Sequence, residues 1–142
     1  MKKIFLIFIL ALTSSLFALE NYIGFTPKEI IDELGAPSYV LSQRGERTEE
    51  DDVLFFYDDR VYVYFNQNRV WQIRVDQSYT GSILNLNLGD DKSVVLELLG
   101  EPLDEKDNSL IYRRPDKGYP MILRIYFSGD KLNDIYFYRG DY

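Results

Sequence analysis

The chain contains neither cysteine nor histidine. Without cysteine there is no disulfide scaffold, no thiolate metal site, no cysteine nucleophile and no lipid anchor on an N-terminal cysteine. Without histidine the commonest general base, the commonest zinc ligand and the Ser-His-Asp triad are all missing. Tryptophan occurs once and methionine twice among 142 residues. Positive charge is scarce as well: 16 Lys and Arg stand against 23 Asp and Glu, a formal charge of −7. An acidic chain of this kind argues against a nucleic-acid partner, whose phosphates demand clustered Lys and Arg. Isolated glycines such as Gly24 and Gly89 make no phosphate-cradling loop, and no cofactor is expected. What the chain does hold is 46% apolar and 15% aromatic residues, including 12 Tyr and 9 Phe. That composition supports one packed domain or two small ones.

Residues 1–18 read as a leader. Lys2 and Lys3 precede the apolar run Ile4 to Leu12, and Thr13-Ser14-Ser15-Leu16-Phe17-Ala18 closes it with small residues. This is the layout of a secretory signal peptide, and the run is too short for a membrane span of about 20 residues. Cleavage after Ala18 removes two of the 16 basic residues and leaves a net charge of −9. The expected product is periplasmic or secreted, with no stable membrane insertion.

The remainder is organised by an internal repeat, residues 19–76 and 88–142, joined by a linker over 77–87. A shift of 65 superposes Gly24 on Gly89, Leu34 on Leu99, Gly35 on Gly100 and Pro37 on Pro102. A shift of 62 superposes Phe65 on Phe127, Arg69 on Lys131, Val70 on Leu132 and Ile73 on Ile135. A period of this length points to one supersecondary unit used twice. Each unit opens with a helix. Thr26 caps the first, with Pro27 at its first position and Glu29 completing a capping box, and Ile30, Ile31 and Leu34 form its apolar stripe. Asp91 caps the second, whose stripe is Val94, Val95, Leu98 and Leu99. Gly35 and Gly100 suit left-handed C-terminal caps, and Pro37 and Pro102 forbid continuation.

Three strands follow each helix: about 53–57, 60–65 and 69–75 in the first unit, then 109–113, 121–127 and 132–138 in the second. Residues 41–52 and 114–120 are expected to be loops. The predicted fold class is α+β: two tandem helix-plus-three-strand repeats forming a two-layer domain, the short helices packed on one face of a curved antiparallel sheet. Alternation assigns Val61, Val63, Phe65, Trp71, Ile73, Val75, Leu123, Ile125, Phe127, Ile135 and Phe137 to the face under the helices. Tyr62, Tyr64, Val70, Gln72, Arg74, Ile122, Arg124, Tyr126, Asp134, Tyr136 and Tyr138 fall on the other face. Two short helices cover one side of a sheet, so this Tyr/Arg face is expected to be open to solvent. Tyr and Arg are the residues of protein interfaces. They also stabilise a solvated sheet by packing on one another across strands, and both readings fit the pattern.

The matched positions, Gly24, Leu34, Gly35, Pro37, Phe65, Arg69, Val70 and Ile73 with their counterparts from Gly89 to Ile135, carry a family resemblance. The chain resembles the SmpA/OmlA outer-membrane assembly lipoproteins and, in its tandem form, the β-lactamase inhibitory proteins. The resemblance implies a non-enzymatic module that grips a protein partner with an aromatic sheet face. Carried onto this chain, that role falls to Tyr62, Tyr64, Gln72, Arg74, Arg124, Tyr126, Tyr136 and Tyr138. An accessory role in envelope assembly is the alternative, and a small-ligand binder or hydrolase in the cleft between the repeats is the third. The acidic runs Glu49 to Asp52, Asp58-Asp59 and Asp90-Asp91 lack the alternating spacing of a calcium loop, so no metal site is expected. No carboxylate pair falls across a predictable cleft.

Overall fold

The structure is a computed structural model that describes residues 18–46 and 52–142. The leader, apart from Ala18, and residues Glu49 to Asp51 of the first acidic run lie outside the described residues.

Two helices form where the capping signals stand. In α1 (Pro27–Leu34) the Thr26 Oγ1 accepts from the Glu29 N–H at 3.3 Å, while the Thr26 N–H donates to Glu29 Oε2 at 2.7 Å. In α2 (Lys92–Leu99) the Asp91 side chain makes no cap bond and instead accepts from Lys131 Nζ at 2.5 Å. Gly35 ends α1 at φ 81°, ψ −173°, and Gly100 ends α2 at φ 76°, ψ −157°. Positive φ with extended ψ is glycine territory, but it is not the left-handed helical cap that the sequence suggests. The sheet meets both helix ends: Tyr57 Oη donates to the Gly35 carbonyl and Tyr112 Oη to that of Gly100, each at 3.0 Å.

The expected fold class is not what the chain forms. A single eight-stranded antiparallel sheet dominates, with strands β1 (Tyr39–Gln43), β2 (Asp52–Tyr57), β3 (Val61–Asn66), β4 (Arg69–Asp76), β5 (Asp104–Lys106), β6 (Ser109–Arg114), β7 (Met121–Ser128) and β8 (Lys131–Arg139) in the order β1-β2-β3-β4-β8-β7-β6-β5. Four strands, not three, follow each helix. The two overlooked strands are the edges of the sheet. β1 is exposed at every position, so no alternation of burial marks it, and β5 is the charged triplet Asp104-Glu105-Lys106. Neither do the helices make a full second layer. Only Ile30 and Val95 are buried completely, while Ile31 and Leu98, expected within the stripes, are 41% and 47% exposed.

The core is therefore built mainly from one face of the sheet. Val63, Val70, Ile73, Val75, Leu123, Ile125 and Ile135 are at most 1% exposed. The β4–β8 seam makes that core continuous, pairing Ile73 with Phe137 and Val75 with Ile135. Residues 77–87 also enter it. Ile83 and Leu86 exchange backbone hydrogen bonds of 2.9 and 2.8 Å across a turn at Leu84 and Asn85, and both side chains are buried. The 3-10 turn Leu19–Tyr22 docks on the far part of the chain, where Glu20 takes two hydrogen bonds from Arg114 at 2.8 and 2.9 Å.

Register shifts between Tyr64 and Phe65 and between Tyr126 and Phe127 interrupt the alternation. A bulge inserts one extra residue and reverses the side-chain phase beyond it. Val70 accordingly pairs with Phe65 and is fully buried, although strict alternation places it outside. Trp71, placed in the aliphatic set by the same rule, is the extra residue and joins the opposite face.

Candidate protein-binding face

All eight residues singled out from sequence, Tyr62, Tyr64, Gln72, Arg74, Arg124, Tyr126, Tyr136 and Tyr138, stand half-buried on strands β3, β4, β7 and β8. Pairing sets six side chains in one row across the sheet: Tyr39, Phe56, Tyr62, Arg74, Tyr136 and Arg124. Ring centroids lie 5.9 Å apart for Tyr39–Phe56 and 5.0 Å apart for Phe56–Tyr62. The Arg74 guanidinium sits 5.0 Å from the Tyr62 ring and 5.5 Å from the Tyr136 ring. Tyr126 meets Tyr136 edge-on at 5.5 Å, and Arg124 lies 4.7 Å from the Tyr126 ring. Tyr39 escapes the sequence reading because its strand, β1, goes unrecognised, whereas Phe56 lies in an expected strand that is assigned to neither face.

Carboxylates hold the arginines flat against the rings. Arg60 reaches Asp76 with Nε at 2.7 Å and Nη2 at 2.5 Å, and Tyr62 Oη donates to the same carboxylate at 2.8 Å. Arg74 donates to Asp134 Oδ1 from Nε at 2.9 Å and from Nη2 at 2.7 Å. Asp76 and Asp134 are themselves cross-strand neighbours, so each carboxylate needs its own cation. Burial works against the Asp76 charge, yet the bonds from Arg60 and Tyr62 outweigh it and bring its pKa below the usual carboxylate value. Burial also opposes the Arg74 charge, and Asp134 more than offsets it, so Arg74 holds its proton more tightly than a free guanidinium. Burial raises the phenols of Tyr62, Tyr136 and Tyr138 above their ordinary value. At neutral pH the face thus presents flat neutral rings, phenol hydroxyls and arginine heads.

Beyond the row, Trp71 packs against Tyr64 at 6.3 Å and Tyr142 at 5.7 Å between centroids. The Trp71 and Tyr142 rings, with Gln72, Arg124, Tyr126 and Tyr136, border a shallow recess of about 300 Å³. A separate cleft of about 240 Å³ lies between the 3-10 turn, the 77–87 connection and Phe137. Its single carboxylate, Glu20, is engaged by Arg114. Among the described residues no group of three or more Asp or Glu is placed to hold a metal ion, and no helix is long and apolar enough to cross a membrane.

No protein-family profile matches the chain, and no curated protein matches it by sequence. Solved structures share its fold. Over 99% of its length the chain superposes on 49% of an extracellular protein containing a SCP domain from Bacillus anthracis str. Ames, with a TM-score of 0.59 and 12% identity. Over 87% of its length it superposes on 45% of a cysteine-rich secretory protein from Staphylococcus aureus subsp. aureus Mu50, with a TM-score of 0.55 and 10% identity. The chain spans about half the length of each. At these identities the likeness is one of fold. It overturns the resemblance to the SmpA/OmlA lipoproteins and the β-lactamase inhibitory proteins, and leaves the envelope-assembly alternative without the resemblance it rested on. The physical reason is plain in the structure. Gly35 and Gly100 end helices, while Gly24 and Gly89 bond backbone to Val70 and Leu132 at 2.8 Å. Such positions record geometry that many lineages need. One of these proteins is extracellular by name and the other secretory; for this chain the periplasmic or secreted location is the expectation that its leader carries.

Proposed function

We propose that this is an exported protein that works by binding another protein through the Tyr/Arg face, without catalysis of its own. The observation that carries this reading is the uninterrupted row from Tyr39 to Arg124. It provides large aromatic area with hydrogen-bonding tips, held rigid by the Arg60–Asp76 and Arg74–Asp134 pairs. Rings already locked in place lose little freedom when a partner arrives, which favours association. The leader supports export, and the proteins that share the fold, one extracellular and one secretory by name, agree with it. The 240 Å³ cleft favours the small-ligand or hydrolase alternative less, because its only carboxylate is tied up by Arg114.

The test is affinity capture from an extract of the exporting cell, with the protein and its Tyr64→Ala, Tyr126→Ala double variant run side by side. Two central tyrosines acting as anchors are worth on the order of 2–4 kcal/mol of binding. A partner retained by the parent and lost by a folded double variant is the expected result. Equal retention by both sinks the proposal.

A further inference from the structure

The recess beside Trp71 sets an indole donor with no acceptor beside an arginine with no close carboxylate. The Trp71 Nε1–H is buried and has no hydrogen-bond partner among the described residues. Buried donors are almost always satisfied in folded proteins, so an orphan on an otherwise well-paired face calls for an explanation. Arg124 lines the same recess and is the least neutralised arginine of the face: its Nε donates to Ser109 Oγ at 2.8 Å and its Nη2 to the Lys106 carbonyl at 3.5 Å, neutral acceptors that leave its charge uncompensated. Arg60 and Arg74 each have a carboxylate within 2.7 Å, whereas the nearest to Arg124, Asp107, is 3.7 Å away and 72% exposed. An indole and a guanidinium are donors only, so their common ligand must bring acceptors. A neutral apolar group leaves the indole donor unserved and the Arg124 charge uncompensated, and a cation is repelled by Arg124. A carboxylate satisfies both. The aromatic walls that stay in place, Tyr126, Tyr136 and Tyr138, suit an apolar neighbour of that carboxylate.

Tyr142 currently lies against the indole, its ring plane tilted 32° from that of Trp71. It is held there loosely. Its ring is 57% exposed, the Arg139 guanidinium stands 4.9 Å above it, and the preceding Asp141 is clipped to Arg139 at 2.8 and 3.0 Å on the surface. We propose that the Trp71 recess anchors an acidic side chain of the protein partner, its carboxylate accepting from Trp71 Nε1 and from Arg124, with Tyr142 as the residue that moves aside. This inference rests on the protein-binding reading and specifies the chemistry at one end of the same face.

Because tryptophan occurs once, the protein has a single indole N–H resonance, which reports on this site alone. The ¹⁵N-labelled exported protein is titrated with acetyl-Phe-Glu-Phe-amide and, separately, with acetyl-Phe-Gln-Phe-amide. The expected result is a saturable downfield shift of the indole proton with the Glu peptide at about tenfold lower concentration than with the Gln peptide. Arg124→Gln should erase that preference, and deletion of Tyr142 should tighten Glu-peptide binding several-fold by freeing the recess. An indole resonance that does not move, or that responds equally to the two peptides, overturns the proposal. If the indole stays silent while capture is still lost in the Tyr64→Ala, Tyr126→Ala variant, the acidic anchor alone is wrong. If capture also survives that variant, the binding face itself is wrong.

Discussion

The two faces of this sheet are built from alternate residues of the same strands, yet they settle in opposite ways. Along β7, Met121, Leu123, Ile125 and Phe127 are buried, while Ile122, Arg124 and Tyr126 between them are half-exposed. The first set is held by removal from water, a force without direction that grows with area. The second is held sideways, by ring-to-ring and ring-to-guanidinium contacts and by two Arg–Asp pairs. A face organised laterally stays rigid and still presents its outer surface. The lesson is a division of labour: stability resides on the dry face, and an open surface of rings and arginine heads on the wet one.

That division can be broken experimentally, and the largest effect should come from the dry face. Ile73→Ala, at the centre of the β4–β8 seam, is expected to cost about 2–5 kcal/mol in urea unfolding, as a cavity in a packed core does. Tyr136→Ala, on the wet face of the same seam where it pairs with Arg74, should cost less than half as much. Equal losses would mean that both faces carry the fold.

A smaller effect is expected from Asp76→Asn, which leaves Arg60 without its carboxylate. Arg60 is 37% exposed and recovers part of its hydration, so a loss of about 1–2 kcal/mol is expected. The pH dependence carries a definite sign. The folded pKa of Asp76 is depressed, so its contribution is complete above the unfolded value of about 4 and disappears as pH falls through the lower folded value. The Asn variant should therefore show a shallower acid limb in a series of unfolding midpoints. At the alkaline end the sign reverses. The phenols of Tyr62, Tyr136 and Tyr138 are raised, so the stability they confer is complete below about pH 10 and is lost as pH rises through their folded values. Replacing all three with Phe should flatten that limb.

The smallest effect sharpens the comparison from within the dry face. Tyr57 is buried there and donates to the Gly35 carbonyl at the end of α1. Tyr57→Phe should cost about 0.5–1.5 kcal/mol, and Tyr112→Phe a similar amount at Gly100, each measured by thermal unfolding.

How far these features are legible in the sequence depends on how local their causes are. The Thr26 capping box involves four consecutive residues and forms as the pattern predicts. The eight members of the Tyr/Arg face follow from a period of two within single strands, and all of them share that face. Trp71 breaks the rule because the bulge opposite Tyr64 is a property of the pairing of two strands. Tyr119 follows no strand pattern. Its hydroxyl donates to the Ile23 carbonyl at 3.2 Å and its ring sits 4.1 Å from the Arg139 guanidinium, contacts that join distant parts of the chain. The edge strands escape for a related reason: β1 has no buried side and β5 no apolar residue, so neither carries the signal by which strands are found.

By itself the sequence determined where helices start and stop, which strand residues are aliphatic and which are tyrosine or arginine, and that the exported chain is acidic. These are matters of backbone preference and of alternation over a few residues. Only the tertiary structure decided that β4 would pair with β8, that a bulge between β3 and β4 would turn Val70 inward and Trp71 outward, and that Asp76 and Asp134 would meet side by side, each with its own arginine. Strand register and long-range ion pairing are settled by whole surfaces coming together, and no short window of residues contains them.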